Sequence, residues 1–194
     1  MPSRRPRPLR RWWWVPPAAL LLVLLAAAVS PFRQWRQARR AQRTVPHIEA
    51  AAARYGVDPA LLRAVIWRES GFDPEARGAA GELGLMQVGE IAGQEWADAH
   101  GFEGYAHEHL LDPGTNTLAG AWYLAKVTRR YAATDDPVAY GLADYNAGRA
   151  NVLRWLRGAG ATNRQAFLEQ MDFPGTRAYV RAVQQKHAEL RAHR

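Results

Sequence analysis

The sequence predicts an all-α domain behind a basic, apolar N-terminal segment, and three observations carry that reading. Apolar residues recur at helical spacing behind three Asp-Pro pairs. No run alternates convincingly as a strand, and no internal repeat is present. Third, the charge is unevenly spread. The 194 residues carry a formal net charge of +8, yet ten of the 26 basic residues are arginines between Arg4 and Arg43. No Asp or Glu precedes Glu49, and from Glu49 onward 16 basic residues face 18 acidic ones. A nucleic-acid-binding surface is therefore not indicated, because the folded part is slightly acidic. The complete absence of cysteine excludes disulfides, thiol catalysis and Cys-type zinc sites.

The N-terminal segment reads in three pieces. Residues 1–11, with five arginines and three prolines, form a basic tail expected in the cytoplasm. Residues 12–29, "WWWVPPAALLLVLLAAAV", are 18 uncharged residues, the short end of what spans a bilayer as a helix. The tryptophans at the start suit a membrane interface, and Pro16 and Pro17 after them lengthen the element beyond a usual signal core, which favours a retained signal-anchor over a cleaved signal peptide with small residues at Ala26-Ala27-Ala28-Val29-Ser30. Residues 30–44 read as a basic juxtamembrane linker. Its arginines nearly balance those of the tail, so the positive-inside bias does not orient the span.

From residue 45 to 194 the reading is one helical domain. A helix over about Pro46–Tyr55 stops at Gly56, a residue suited to a left-handed cap. Asp58-Pro59, Asp112-Pro113 and Asp136-Pro137 each put a side-chain acceptor at the N-cap and a fixed-φ residue at the first helical position. Behind them come Leu61, Leu62, Val65 and Ile66; then Leu118, Ala119 and Trp122; then Val138, Leu142 and Ala143. A last helix over about Thr176–His193 carries Tyr179, Val180 and Val183 on one face. Between Gly71 and Gly84 a long irregular loop is expected.

Glu69 lies four residues after Val65 and three after Ile66, on the face that these residues turn to the core. An apolar wall favours the neutral carboxyl and raises its pKa, which suits a general acid. Spacing alone favours the plainer reading, a glutamate at a helix end whose side chain reaches solvent.

The phrases "YGVDPALLRAVIWRESGFDPEA", "GLMQV", "DPGTNTLAGAWYLAKV", "YGLADYNAGRANV" and "FPGTRAYVRAV" together resemble the soluble lytic transglycosylase family, from about Tyr55 to Val183. The resemblance implies a goose-type-lysozyme-like all-α domain behind the N-terminal membrane-spanning helix. It further implies a cleft for peptidoglycan glycan strands and cleavage of the β-1,4 bond between N-acetylmuramic acid (MurNAc) and N-acetylglucosamine (GlcNAc). Glu69 matches the single catalytic acid. Gln87, with Met86 before it, and Tyr145 with Asn146 match substrate-binding positions, the latter pair beside the acid. Asn116, Gly120, Tyr123 and Tyr179 match the pattern as well, but core packing explains them. Three glycines depart from it: Gly78 for a serine, Gly89 for a methionine and Gly175 for a glutamate. They predict altered fit or rate with the acid intact.

No cofactor and no metal is implied. His107-Glu108-His109 lacks a third ligand and reads as solvated loop. Asp73, Glu75, Glu82 and Asp144 read as loop or surface charges, so no second carboxylate is supported. The route implied by the resemblance needs none: the sugar's own 6-hydroxyl closes a 1,6-anhydro ring. The alternatives are a lysozyme-type muramidase acting on the same bond and a non-catalytic, membrane-anchored peptidoglycan-binding protein. The expected location is the inner membrane, single-pass, with the domain facing the periplasm or wall.

Overall fold

A computed structural model describes residues 17–193, with side chains from residue 31 onward. The chain divides into two compact units, residues 1–39 and 40–194. The first helix, α1 (Pro17–Tyr55), runs through the stretch read as a linker, 30–44. Residues 33–43 are mostly Arg, Gln and Ala, strong helix formers that carry the backbone through without a break. The start of the span read at 12–29 lies outside the described residues, as do the side chains of its remainder. Among the described residues no helix is long and apolar enough to cross a membrane.

Within 40–194 the elements are α2 (Pro59–Glu69), α3 (Glu90–Ala99), α4 (Pro113–Arg129), α5 (Pro137–Ala147), α6 (Arg149–Trp155), α7 (Arg164–Gln170) and α8 (Pro174–Ala192). Short 3₁₀ turns occupy His107–Leu111 and Gly158–Ala161. Among the described residues there is no strand, only isolated bridges joining Leu83 to Arg77 and to Val88. All three Asp caps form: Asp58 accepts from Ala60 N at 2.8 Å, Asp112 from Thr115 N at 2.8 Å and Asp136 from Ala139 N at 3.1 Å. Gly56 closes α1 at φ +66°, with its N–H on Ala52 O at 2.9 Å.

Helix α8 packs on α2 and α5, and α4 packs on α5 and α3. Leu62, Val65 and Ile66 of α2 and Tyr179, Val180 and Val183 of α8 are buried between them. The buried Asp144 joins α5 to the end of α4, accepting from Tyr131 Oη at 2.6 Å and Arg130 Nη1 at 3.1 Å. It is therefore a core ion pair and not a surface charge. Asn116 on α4 is fully buried and holds the end of the long loop. Its amide nitrogen donates to Leu83 O and Leu110 O, both at 2.7 Å, and its amide oxygen accepts from Met86 N at 2.8 Å. Gly84 has φ +73°, and any Cβ there would overlap this same amide.

Candidate active site

Glu69 ends α2, where the helix leaves the core, so its carboxyl sits half-buried at the head of a cleft. Burial pushes its pKa up to about 7. A hydrogen bond from Tyr179 and the charge of Arg68 act in the opposite sense, and the charge of Glu82 adds to the rise. The cleft encloses about 670 Å³, and its walls include Glu69, Glu82, Gln87, Tyr123, Tyr145 and Asn146. Such a carboxyl, still protonated near neutral pH in the wall of a cleft, can donate a proton to a bound leaving group.

Tyr179, read from the sequence as core packing, has a different part. Its ring is buried in α8, but its hydroxyl donates to Glu69 Oε1 at 2.6 Å. It therefore fixes the carboxyl's rotamer and stabilises the anion left when the proton departs. Tyr145, expected beside the acid, spends its hydroxyl elsewhere: it donates to Met86 O at 2.8 Å and ties α5 to the loop. Burial and the charge of Glu69 hold the phenols of both Tyr145 and Tyr179 well above their ordinary pKa, so both remain donors. Tyr123 sets its ring 5.7 Å from that of Tyr145, tilted by 59°, and lines the cleft, which core packing does not describe. Asn116 and Gly120 are structural, as read; Gly120 lets Met86 Sδ approach to 2.6 Å of where a Cβ would stand.

Gln87 is held with φ +48°, in the left-handed region that non-glycine residues seldom occupy. Its amide nitrogen donates to Gly84 O at 2.9 Å and Ala76 O at 3.1 Å, bonds that offset the strained backbone. Because both partners are carbonyls, they fix the amide's orientation and leave its oxygen free for a ligand. Asn146 is exposed on the cleft, its amide oxygen accepting from Thr176 Oγ1 at 2.9 Å. Met86 is placed differently: its side chain is fully buried, so it supports the wall from behind and presents no surface to a ligand.

Glu82, read as a loop charge, lines the cleft with Glu69. Sequence spacing gave no sign of this, because the approach depends on how the 78–82 turn closes: Gly78 N donates to Glu82 O at 2.7 Å. Of the three departing glycines, Gly89 and Gly175 face open space where a side chain would fit. His107 and His109 serve turns: His107 Nε2 contacts Gly81 O of the 78–82 turn at 2.8 Å, and His109 Nδ1 caps the turn His107–Leu111 by accepting from Ala106 N at 3.0 Å. Among the described residues no group of three or more His, Cys, Asp or Glu side chains is placed to hold a metal.

Comparison with known proteins agrees with this geometry. The family model described as "Transglycosylase SLT domain" matches residues 46–168. The membrane-bound lytic murein transglycosylase F of Desulfosudis oleivorans is 37% identical over 116 residues, covering 58% of this chain and 24% of that protein. The membrane-bound lytic murein transglycosylase C of Yersinia pestis is 36% identical over 123 residues, covering 60% of this chain and 34% of that protein. The chain thus spans about a quarter to a third of these relatives. Among solved structures, the 70 kDa soluble lytic transglycosylase of Escherichia coli aligns with a TM-score of 0.68 at 28% identity, over 76% of this chain and 24% of that one. A complex of the 70 kDa soluble lytic transglycosylase with bulgecin A aligns with the same TM-score. The helical order, the cleft headed by Glu69 and the matched residues 46–168 place this chain in the transglycosylase SLT domain family.

Proposed function

We propose that this protein is a peptidoglycan lytic transglycosylase that cleaves the MurNAc–GlcNAc β-1,4 bond and leaves 1,6-anhydro-MurNAc ends. The observation that carries this is Glu69, a carboxyl whose pKa burial pushes up to about 7, bonded to one fixed donor in the wall of a cleft of about 670 Å³.

In the first half of the reaction Glu69 gives its proton to the glycosidic oxygen as the bond to the muramic acid breaks. The N-acetyl oxygen of that sugar stabilises the developing cation. The Glu69 anion is then held by the Tyr179 hydroxyl, which keeps it aimed at the sugar. In the second half Glu69 takes the proton of the 6-hydroxyl, whose oxygen closes the ring. A pKa close to the working pH serves both directions of transfer. The 6-hydroxyl is already tethered to the reacting carbon, so proximity favours it over water. A muramidase reading retains one point in its favour, since Glu82 is a second carboxylate in the same cleft.

Glu69→Gln preserves the shape but cannot deliver the proton, so clearing of purified sacculi should fall by about 10²–10⁴-fold with the thermal melt retained. Clearing at the wild-type rate would remove Glu69 from the reaction.

The location proposed is the inner membrane, with residues 12–29 as a single span and the domain on the periplasmic side. The uncharged stretch and its tryptophans support it, as do the membrane-bound names of the relatives. Alkaline phosphatase fused after Arg43 should be active in cells. An inactive phosphatase fusion, with a cytoplasmic reporter fluorescing from the same junction, would contradict it.

A further inference from the structure

Gly78 differs from the other two departing glycines in having no room for a side chain. An added Cβ would overlap Glu82 Oε2 and stand 2.9 Å from Gln87 Oε1. Two oxygens thus converge on the space above one α-carbon. Glu82 Oε2 is steadied by the Ala80 N–H at 3.1 Å, and the turn itself by Gly78 N to Glu82 O at 2.7 Å. The tip is anchored by His107 on Gly81 O. Gly78 does not have a left-handed backbone, so it is the space above it, and not its conformation, that requires glycine. Gln87 has already spent both amide hydrogens on carbonyls. What this corner of the cleft offers a ligand is therefore acceptors: the carboxylate of Glu82 and the amide oxygen of Gln87.

Resting on the proposed glycan-cleaving activity, we propose that Glu82 is a substrate-positioning residue, seated in the cleft by the bare Gly78, which with Gln87 receives a donor group of the sugar, a hydroxyl or the acetamido N–H. A charged acceptor binds such a donor more strongly than a neutral one and fixes how far the sugar sits from Glu69. The coupling has a direct consequence. A side chain at 78 evicts the carboxylate of Glu82, so changing either residue removes the same contact.

Glu82 also belongs to the field around Glu69. From its own helix Arg68 acts on Glu69, and from α8 Tyr179, while the charge of Glu69 acts in turn on Tyr145 of α5. Tyr123 of α4 and Glu90 and Glu95 of α3 line the same cleft, with Glu95 neutralised by Lys126 at 2.6 Å. Of the cleft's other carboxylates, Glu82 is the one whose charge raises the acid's pKa.

The test measures kcat and KM on sacculi, with thermal melts, for Glu82→Ala, Glu82→Gln, Gly78→Ala and the Gly78→Ala/Glu82→Ala pair in the full chain. Loss of a hydrogen bond to a charged group predicts KM up about 10-fold in Glu82→Ala and in Gly78→Ala. The pair should be no worse than either alone, because both remove one contact. Glu82→Gln keeps the Ala80 bond through its amide oxygen but loses the charge, so the alkaline limb of the pH–rate profile moves to lower pH. A purely structural role would shift the melts and leave KM and the pH limb in place. Wild-type KM and pH profile in Glu82→Ala, or multiplied losses in the pair, overturn the proposal. Binding of peptide-free glycan strands is measured in parallel in the Glu69→Gln chain. There Glu82→Ala should weaken affinity about 10-fold, and unchanged affinity also overturns the proposal. Glu82-dependent binding in a wild-type chain that cleaves nothing would instead overturn the enzymatic reading.

Discussion

Tyr179 and Glu69 stand 110 positions apart in sequence, yet the phenol hydroxyl meets the carboxylate at 2.6 Å. That separation is why the pairing could not be read beforehand. A tyrosine at helical spacing with Val180 and Val183 looks like core, and its ring is core; only the tip is functional. The place of Glu69 on the core-facing side of α2 was legible from its spacing after Ile66 and Val65, but spacing alone also allowed a solvent-facing glutamate, and it was the order of the motifs that singled it out as the acid. Glu82 was not, since its seat depends on a turn and on the emptiness of Gly78. The bond from Tyr179 lowers the pKa of Glu69 against the larger effect of burial. Tyr179→Phe removes a contact that favours the anion, so the pKa of Glu69 should rise above about 7 and the alkaline limb of the pH–rate profile should move to higher pH. With the anion less supported, kcat should fall roughly ten-fold, the scale of one hydrogen bond to a charged group. An unmoved alkaline limb would reduce Tyr179 to packing.

Helices announced by Asp-Pro caps were readable because the cap, the proline and the apolar spacing agree locally. Helix α3 was missed for the opposite reason. Its buried positions are Gly93, Trp96 and Ala97, so glycine and alanine supply most of a face that hydrophobicity marks only weakly. The long loop was legible as irregular, but how it is held was not. Asn116 anchors its end through three bonds, to Leu83, Leu110 and Met86. Asn116→Ala leaves the Leu110 carbonyl and the Met86 N–H without partners, while Leu83 O keeps its bond from Val88 N at 3.0 Å. At about 1–3 kcal/mol for each of the two, partly relieved by water, the loss should be roughly 2–4 kcal/mol. Denaturant unfolding measures it. A loss below about 1 kcal/mol would mean that the loop is held by something other than this amide.

For the molecule as a whole, the segregation of charge was the informative feature. Once the arginines before residue 44 are set apart, what remains is a near-neutral helical domain with a cleft that carries Glu69, Glu82, Glu90 and Glu95 on its walls. No basic side chain lines that cleft, so it is suited to polyhydroxylated rings and not to phosphates. The fold and the family were readable from motif order, while the division of labour among the cleft residues needed the packing of α2, α5 and α8 against the loop. The central claim is that Glu69 serves as both acid and base, with the substrate's own 6-hydroxyl as nucleophile. Mass spectrometry of sacculi digested by the full chain tests it most directly. The account predicts muropeptides ending in 1,6-anhydro-muramic acid, one water lighter than hydrolysis products and inert to borohydride. Reducible muramic acid ends as the main product would contradict it, and would make Glu82 the base that activates water.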